Sequence, residues 1–567
     1  MASTLERIYH HPTQRHMEVP PVDLLTLLFE SEHCAAVDDT VVHIDAANPE
    51  NKITTAQLLT TLQNIAHGLR HKYGIGSDGP SKDTVTVITH GQLLVPAAFY
   101  GVIAAGGVYS AASPSSTVSE LARQVKIAKS TVIICGAEHI DVASKAAQEC
   151  GLPLKNVLVL DSTHDKWSLK SVQGDVNALS KKKQRWRQVF NPAVLKSSLI
   201  VILWSSGTTG LPKGVMLSHA NLVAETYFTA LSGREWAAEE MEKGTFEVKE
   251  YNTLAHLPIS HIAGLFGYLI APLYSGGTVY WMRKYEWNEL LKNLKKYKIT
   301  AFYTVPSIWL RISKSNQITD HFRFLEGAST GAAPMDSKLQ RAANKRLADG
   351  QSTFIGQTWG LSETTGAVTA PLKDSPDDTG SIGYILPNVE IRIVDDDYRD
   401  VQEGQEGELM IRSPLVTNGY YDNAAATKAS FHGDWFCTGD IGVVRDGKFY
   451  VVDRKKELLK YKGLQVAPAE LENVLFTHPQ VREAAVVGVP APDDPATDLP
   501  RAYVVPVESS KINEDEVKEY VKARLAPYKQ LRGGVVFIDD IPKNAIGKFL
   551  RRELRDRAKK EIRTAKL

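Results

Sequence analysis

Cysteine is scarce in this chain: four residues among 567, Cys34, Cys135, Cys150 and Cys437, with no Cys-x-x-Cys pair and no metal-ligand spacing. This speaks against a disulfide framework and a Cys-based metal centre, and the thiols read as reduced, as in an intracellular protein. An excess of one charge is also lacking. Lys and Arg number 66 against 65 Asp and Glu, a formal net charge of +1, so no global field favours a nucleic acid or an anionic membrane as partner. Long apolar runs are few. The first twenty residues contain none of the kind a secretory leader needs. Leu93 to Ser113 carries no charge and is long enough to span a bilayer, but it contains Pro96 and three glycines. It reads as a buried helix running into a Gly-rich turn, and no stable membrane insertion is expected. Repeats and low-complexity segments are absent from the sequence.

A chain of 567 residues exceeds what one core organises, so two or more domains are expected. Residues 1–52 read as a capping segment with an amphipathic helix around Asp23 to Ser31. Within Ile53 to Tyr73, Leu58, Leu59, Leu62, Ile65 and Leu69 recur at helical spacing. Apolar strands at Thr84 to Thr89, up to Ile134 and at Val157 to Leu160 alternate with helical stretches. That alternation implies a largely parallel sheet. Residues Asp161 to Gln188 read as a loop insert, and Lys181, Lys182, Lys183, Arg185 and Arg187 around Trp186 as its solvated face. A helix is expected at Ser218 to Ala230, and strand-to-turn units at Phe324 to Pro334 and Thr353 to Gly366. Beyond Gly383 the pattern shortens to strand alternation, as in Glu390 to Val394 and Glu408 to Arg412, which suggests a small β subdomain. The fold class is therefore α/β. Residues 1–452 are expected to form a large domain of parallel sheets layered with helices plus the β subdomain, with the boundary at residues 453–456, and residues 457–567 a small α+β domain.

The densest chemical signal is Leu203 to Gly214, LWSSGTTGLPKG, directly behind the apolar run Leu199 to Trp204. Ser205, Ser206, Gly207, Thr208, Thr209 and Gly210 place four hydroxyls and two glycines in six positions, and Lys213 follows. Glycine lets such a loop bend sharply. Its backbone N–H groups and hydroxyls can then face a polyphosphate, with the lysine as a point charge. It is not a Walker A loop, which needs Gly-x4-Gly-Lys-Ser/Thr ahead of a helix.

The loop resembles the phosphate loop of the adenylate-forming, AMP-binding superfamily, and further motifs of that family follow in order up to Lys548. GYYDN at 419–423 and KYKGLQVAPAELE at 460–472 are most similar to the 4-coumarate–CoA ligase-like branch of acyl-CoA synthetases. The resemblance implies ATP and CoA as co-substrates, Mg²⁺ as cofactor, and a small carboxylic acid as substrate. In the first half-reaction Ser205 to Lys213 would hold the β- and γ-phosphates. Glu363 would bring the metal, with Ser362 beside it, and Lys548 would bridge the carboxylate and the α-phosphate. Gly331, Ala332 and Ala333 would wall the adenine, and Trp359 with Gly360 would supply its aromatic face. Asp440 and Arg454 would hold the ribose. In the second half-reaction the small, mobile domain would turn about Lys456. Lys460, Gln465, Lys462 and Gly463 would then line a thiol tunnel, with Lys284 at the CoA nucleotide. His261, in LPISHIAG, would act as a gate between the two sites rather than as a general base.

The acyl pocket departs from the hydroxycinnamate pattern. Two positions after His261, where those enzymes typically carry a tyrosine, stands Ala263. Ile262, Ala263, Gly267 and Thr358 would shape the pocket, with Phe266, Trp309 and Phe302 as apolar walls. Without a polar partner the basis for a phenolic hydroxyl is lost. A fatty acid of medium or long chain, an oxidised derivative, or a non-phenolic aryl acid is expected instead. The leading reading is an AMP-forming acyl- or aryl-CoA ligase. The alternatives are a free-standing adenylation enzyme that loads a carrier protein, and a non-catalytic acyl or nucleotide binder. A luciferase-type oxygenase shares the same motifs. Ala565-Lys566-Leu567 resembles the peroxisomal Ser-Lys-Leu address. A peroxisomal location through the import receptor is therefore expected, with the cytoplasm as the other option.

Overall fold

A computed structural model describes residues 6–13, 16–162, 167–205, 212–244, 250–347, 353–372, 376–461, 464–491, 494, 497–544 and 547–564. Ser206, Gly207, Thr208, Thr209, Gly210, Lys462, Gly463 and the tripeptide 565–567 lie outside the described residues.

Two seven-stranded sheets carry the large domain. In one, the strands Val157–Asp161, Ser130–Gly136, Thr84–Ile88, Val108–Ala112 and Leu199–Ser205 run parallel in that spatial order. Antiparallel strands Ser168–Ser171 and Lys213–Ser218 flank them. The other contains parallel strands Ile355–Gln357, Gly327–Thr330, Ala301–Thr304, Asn252–Ala255, Thr278–Trp281 and Val41–Asp45, with antiparallel Lys52–Thr54 at its edge. Central strands covered by helices on both faces lose the polar alternation of a half-exposed strand, and every residue of Thr84–Ile88 and Val108–Ala112 is buried. The same burial explains the uncharged segment after Leu93. Helix Leu94–Ala104 is buried throughout, and among the described residues no helix is long and apolar enough to cross a membrane.

The insert after Asp161 is more ordered than a loop reading allows. It supplies the edge strand Ser168–Ser171, and Trp186 is buried, its indole N–H donating to Thr26 Oγ1 at 3.1 Å. The basic residues around it are exposed, and Arg185 pairs with Glu30. The helix expected at Ser218 to Ala230 runs from His219 to Glu242. Ser218 and Asn221 form a capping box at its start.

The β subdomain begins earlier than Gly383. Trp359–Leu361, Gly366–Ala370 and Tyr384–Ile385 form a small antiparallel sheet ahead of the five-stranded one that contains Glu390–Val394, Gly407–Arg412, Trp435–Arg445 and Lys448–Arg454. After the turn at residues 455–457 comes the hairpin Leu459–Tyr461 and Leu464–Val466. The small domain is built on strands Val481–Pro490, Asp498–Pro506 and Val535–Phe537. Helices Pro468–Phe476, Glu514–Lys522 and Arg551–Thr564 accompany them. It docks on the large domain: Lys314 Nζ donates to the Val481 carbonyl at 2.7 Å, and Lys455 pairs with Asp396 at 2.7 Å and Glu408 at 3.0 Å.

Candidate active site

A cavity of about 960 Å³ lies where the two sheets, the β subdomain and the small domain meet. Ser205 and Lys213 enter it from the ends of paired strands, on either side of the glycine-rich loop. Ser205 and Lys213 are register partners across the paired strands. The ammonium of Lys213 lies 4.9 Å from the ring centroid of Tyr420.

Glu363 forms the opposite wall and is 7% exposed. Its Oε1 accepts from Ser205 Oγ at 2.9 Å and from the Tyr420 hydroxyl at 3.0 Å, while Oε2 has no protein partner among the described residues. One carboxyl oxygen fixed by two donors and a second left open fits a hard cation that takes one protein carboxylate and draws its other ligands from phosphate and water. The backbone here is strained. Thr365, a β-branched residue, sits at φ +62°, and its hydroxyl donates to the Leu415 carbonyl at 2.6 Å. Such a conformation costs about 1–3 kcal/mol and persists only where the surroundings impose it. Here it turns the chain back immediately after Glu363.

The glycines of this turn serve the protein before any ligand. A Cβ on Gly360 would lie 1.7 Å from the Gly366 carbonyl oxygen, so the close approach is between two strands of one hairpin. At the other turn, Gly331 is buried, Ala333 is exposed, and Ala332 reaches the cavity from a left-handed conformation, φ +69°. Thr358, Gly360, Leu361 and Ser362 all line the cavity. Trp359 does not: it is buried in the β-subdomain core with Val368 and Ile382. Its indole N–H donates to Asp440 Oδ2 at 2.8 Å, and Asp440 Oδ1 faces Arg454 Nε at 3.2 Å. The structure thus gives Trp359 a partner that was not expected, and assigns it to holding Asp440 rather than to presenting a free aromatic face.

The small domain contributes Lys548 to the same cavity, next to Asn544. The Lys548 backbone N–H donates to Asn544 Oδ1 at 2.9 Å. Burial, and after it the nearby Arg454 guanidinium, lower the Lys548 ammonium to about 8. Lys456 also lines the cavity, and burial lowers its ammonium as well. His261 caps the short helix Ile262–Leu265, its Nδ1 accepting from the Ala263 N–H at 3.2 Å. The proton of the neutral ring is therefore on Nε2. Burial, with the charge of Lys548 second, lowers this imidazole to about 3, so it is neutral at physiological pH and is no store of positive charge. Ile262, Ala263, Phe266 and Gly267 continue the wall beyond His261, whereas Trp309 and Phe302 pack edge to face in the core and do not reach it.

Three residues expected to serve CoA, two at the thiol and one at the nucleotide, do not line the cavity. Lys460 and Gln465 are opposite each other on the hairpin and both are exposed. Lys284 is exposed, next to Arg283, which faces Glu138 at 3.7 Å. Tyr420 and Glu225 are among the cavity residues not anticipated as site residues. Tyr420 lies within GYYDN, where its hydroxyl serves Glu363. Glu225 is a carboxyl in the middle of the apolar face of helix His219–Glu242, and a charged residue type at a core position was the available signal.

The model of the AMP-binding enzymes matches residues 31–421, and that of their C-terminal domain matches residues 470–548. The chain belongs to the AMP-binding enzyme family. An Emericella nidulans protein named "Putative acyl-coenzyme A synthetase" is 47% identical over 98% of this chain and 99% of its own length. The Arabidopsis thaliana protein named 4-coumarate–CoA ligase-like 1 is 34% identical over 95% of each. Among solved structures, ATP-bound MatB from Rhodopseudomonas palustris superposes with a TM-score of 0.79 at 25% identity, covering 94% of this chain and 98% of that one. The chain thus stands among the AMP-forming acyl-CoA synthetases and CoA ligases, with the large and small domains the motifs implied.

Proposed function

We propose that this protein activates a carboxylic acid with ATP and transfers the acyl group to CoA. The observation that carries this reading is the position of Lys548: a lysine of the small domain lies in one cavity with Ser205, Lys213, Glu363 and His261 of the large domain. A carboxylate oxygen attacks the α-phosphorus of ATP, the bond to the β-phosphate breaks, and pyrophosphate leaves. The CoA sulfur then attacks the acyl carbonyl, AMP departs, and the thiol proton passes to solvent. Two anions must meet in the first step, so the residues act mainly by position and by positive charge. Lys213 serves the phosphates with the loop before it, Lys548 the carboxylate and α-phosphate, and Asp440 with Arg454 the ribose. The residues fit Mg²⁺, with the open Oε2 of Glu363 as the protein ligand. Such an ion, when bound, neutralises phosphate charge. In the second step the small domain turns at Lys456 and brings the hairpin of Lys460 and Gln465 to the thiol, with Lys284 serving the CoA nucleotide. Neutral His261 separates the two sites.

The acyl group occupies the wall of Ile262, Ala263, Phe266, Gly267 and Thr358. A hydrophobic acid fits it. The test is pyrophosphate release from the purified protein with ATP and Mg²⁺ over a panel of fatty and aryl acids, with and without CoA. A CoA-dependent rise for one acid class supports the reading, and release indifferent to CoA transfers the second step to a carrier protein.

A further inference from the structure

Glu225 lies one helical turn from Leu222 and Phe228, both fully buried, and is itself 1% exposed. A carboxyl in such a place is costly unless it is paired or hydrogen-bonded. No cation among the described residues lies within ion-pair distance of it. Oε1 accepts from the Ala367 N–H at 2.8 Å, whereas Oε2 is sealed from solvent and has no partner. Burial raises the Glu225 carboxyl well above its ordinary range, and when protonated it has one O–H to donate.

The backbone is shaped around this side chain. Gly366 adopts φ +139°, and a Cβ there would come within 2.5 Å of Glu225 Oε1. The hydroxyl of Thr229, one turn further along the helix, is committed, donating to the Glu225 backbone carbonyl at 2.6 Å. Glu225, Thr229, Gly366 and Ala367 line the cavity together with Phe266 and Gly267 of the acyl wall. The protein therefore places a polar group at an apolar wall, provides space for it, and supplies it with half a partner set.

We propose that Glu225 is the polar anchor of the acyl subsite, and that the preferred acids carry an oxygen function, hydroxyl or oxo, remote from the carboxylate. On substrate entry the side chain turns its unpartnered Oε2 toward the cavity, and the protonated carboxyl donates its O–H to that oxygen. This inference rests on the acid-activation reading above. The polar partner missing at Ala263 is thereby supplied from another helix.

The test measures pyrophosphate release with matched acid pairs: phenylacetate and para-hydroxyphenylacetate, cinnamate and para-coumarate, and hexanoate, octanoate and decanoate with their ω-hydroxy and ω-oxo counterparts. A site built to hydrogen-bond a substrate group rejects the analogue that lacks it, so in at least one pair the wild type should favour the oxygenated acid by about tenfold or more in kcat/KM. Glu225→Leu should abolish or reverse that ranking, chiefly through KM, and Glu225→Gln, whose amide still donates, should retain it. Circular dichroism of both variants confirms that each is folded. Equal turnover of both members of every pair by the wild type, which needs no variant, overturns the anchor and leaves acid activation standing. A ranking unchanged in folded Glu225→Leu overturns it as well. Silence of the whole panel sinks both readings together.

Discussion

The hydroxyl of Ser205 donates to Oε1 of Glu363 at 2.9 Å, joining residues 158 positions apart in sequence. The first residue of the glycine-rich loop thus orients the carboxyl proposed to serve the polyphosphate. The Tyr420 hydroxyl holds the same oxygen at 3.0 Å from the other side. With Oε1 doubly fixed, Oε2 has a defined direction into the cavity. Glu363→Gln keeps the shape and removes an anionic oxygen, so pyrophosphate release should fall by about 100-fold or more, the scale for losing one group that stabilises charge in the transition state. Ser205→Ala and Tyr420→Phe each leave the other donor in place and should cost about tenfold or less. The comparison of the three variants at saturating ATP separates positioning from ligation, and equal losses in all three would contradict this division of roles.

Sequence patterning went far for the sheets and motifs. Leu199 to Trp204 reads as a strand because it is an apolar run, and it is buried on both faces; the uncharged run after Leu93 reads as a buried helix, and Pro96 lies in its first turn, where proline is tolerated. Small and polar residues misled. Ser168–Ser171 has too few apolar positions to announce a strand, and its strand character comes from pairing with Val157–Asp161. Family order places an aromatic ligand face at Trp359. Its direction depends on strand pairing and on Asp440, neither of which is local in sequence. Glu225 escaped attention for the same reason: helical periodicity shows which face is buried but not that Gly366, 141 positions later, leaves room for a carboxyl.

The Lys548 ammonium, lowered to about 8 by burial first and Arg454 second, sets a pH limit. The charged form persists below that value and is lost above it, so kcat/KM for pyrophosphate release should be level near pH 7 and fall by about tenfold per unit well above pH 8. The half-reaction is assayed without CoA, which removes the thiol from the titration. Lys548→Arg, charged throughout, should lose the descending limb even if its maximum is lower. Lys548→Ala should suppress adenylate formation by about 100-fold or more while transfer from a supplied acyl-adenylate to CoA stays within a few-fold of wild type. Equal loss in both steps would remove Lys548 from its role.

Trp359 and Asp440 are coupled through one hydrogen bond at 2.8 Å between buried groups. Trp359→Phe keeps an aromatic ring in the β-subdomain core and deletes the donor, which leaves Asp440 Oδ2 unpaired. Stability should drop by about 2 kcal/mol, the usual cost of an unsatisfied buried acceptor. KM for ATP should rise because Asp440 loses one of the two contacts that fix it. Thermal denaturation with and without ATP distinguishes the two effects. A variant as stable as wild type, but with raised KM, would return Trp359 to the role of a nucleotide face.

Residues 455–457 form the turn that connects the last long strand of the β subdomain to the small domain. Lys455 is anchored on the large-domain side of that turn by Asp396 and Glu408, while Lys456 reaches the cavity. The rotation proposed for the small domain would therefore be absorbed just after Lys455. Lys456→Pro fixes φ near −65° at that point and should hold the arrangement in which Lys548 occupies the cavity. Pyrophosphate release should then persist within about tenfold, whereas thioester formation should fall by about 100-fold or more, since lids and hinges gate the step that needs the second conformation. Lys456→Ala serves as the control for the lost ammonium. If it loses thioester formation to the same degree as the proline variant, the effect belongs to the charge and not to the hinge. Thioester formation that survives in Lys456→Pro places the pivot elsewhere in the chain.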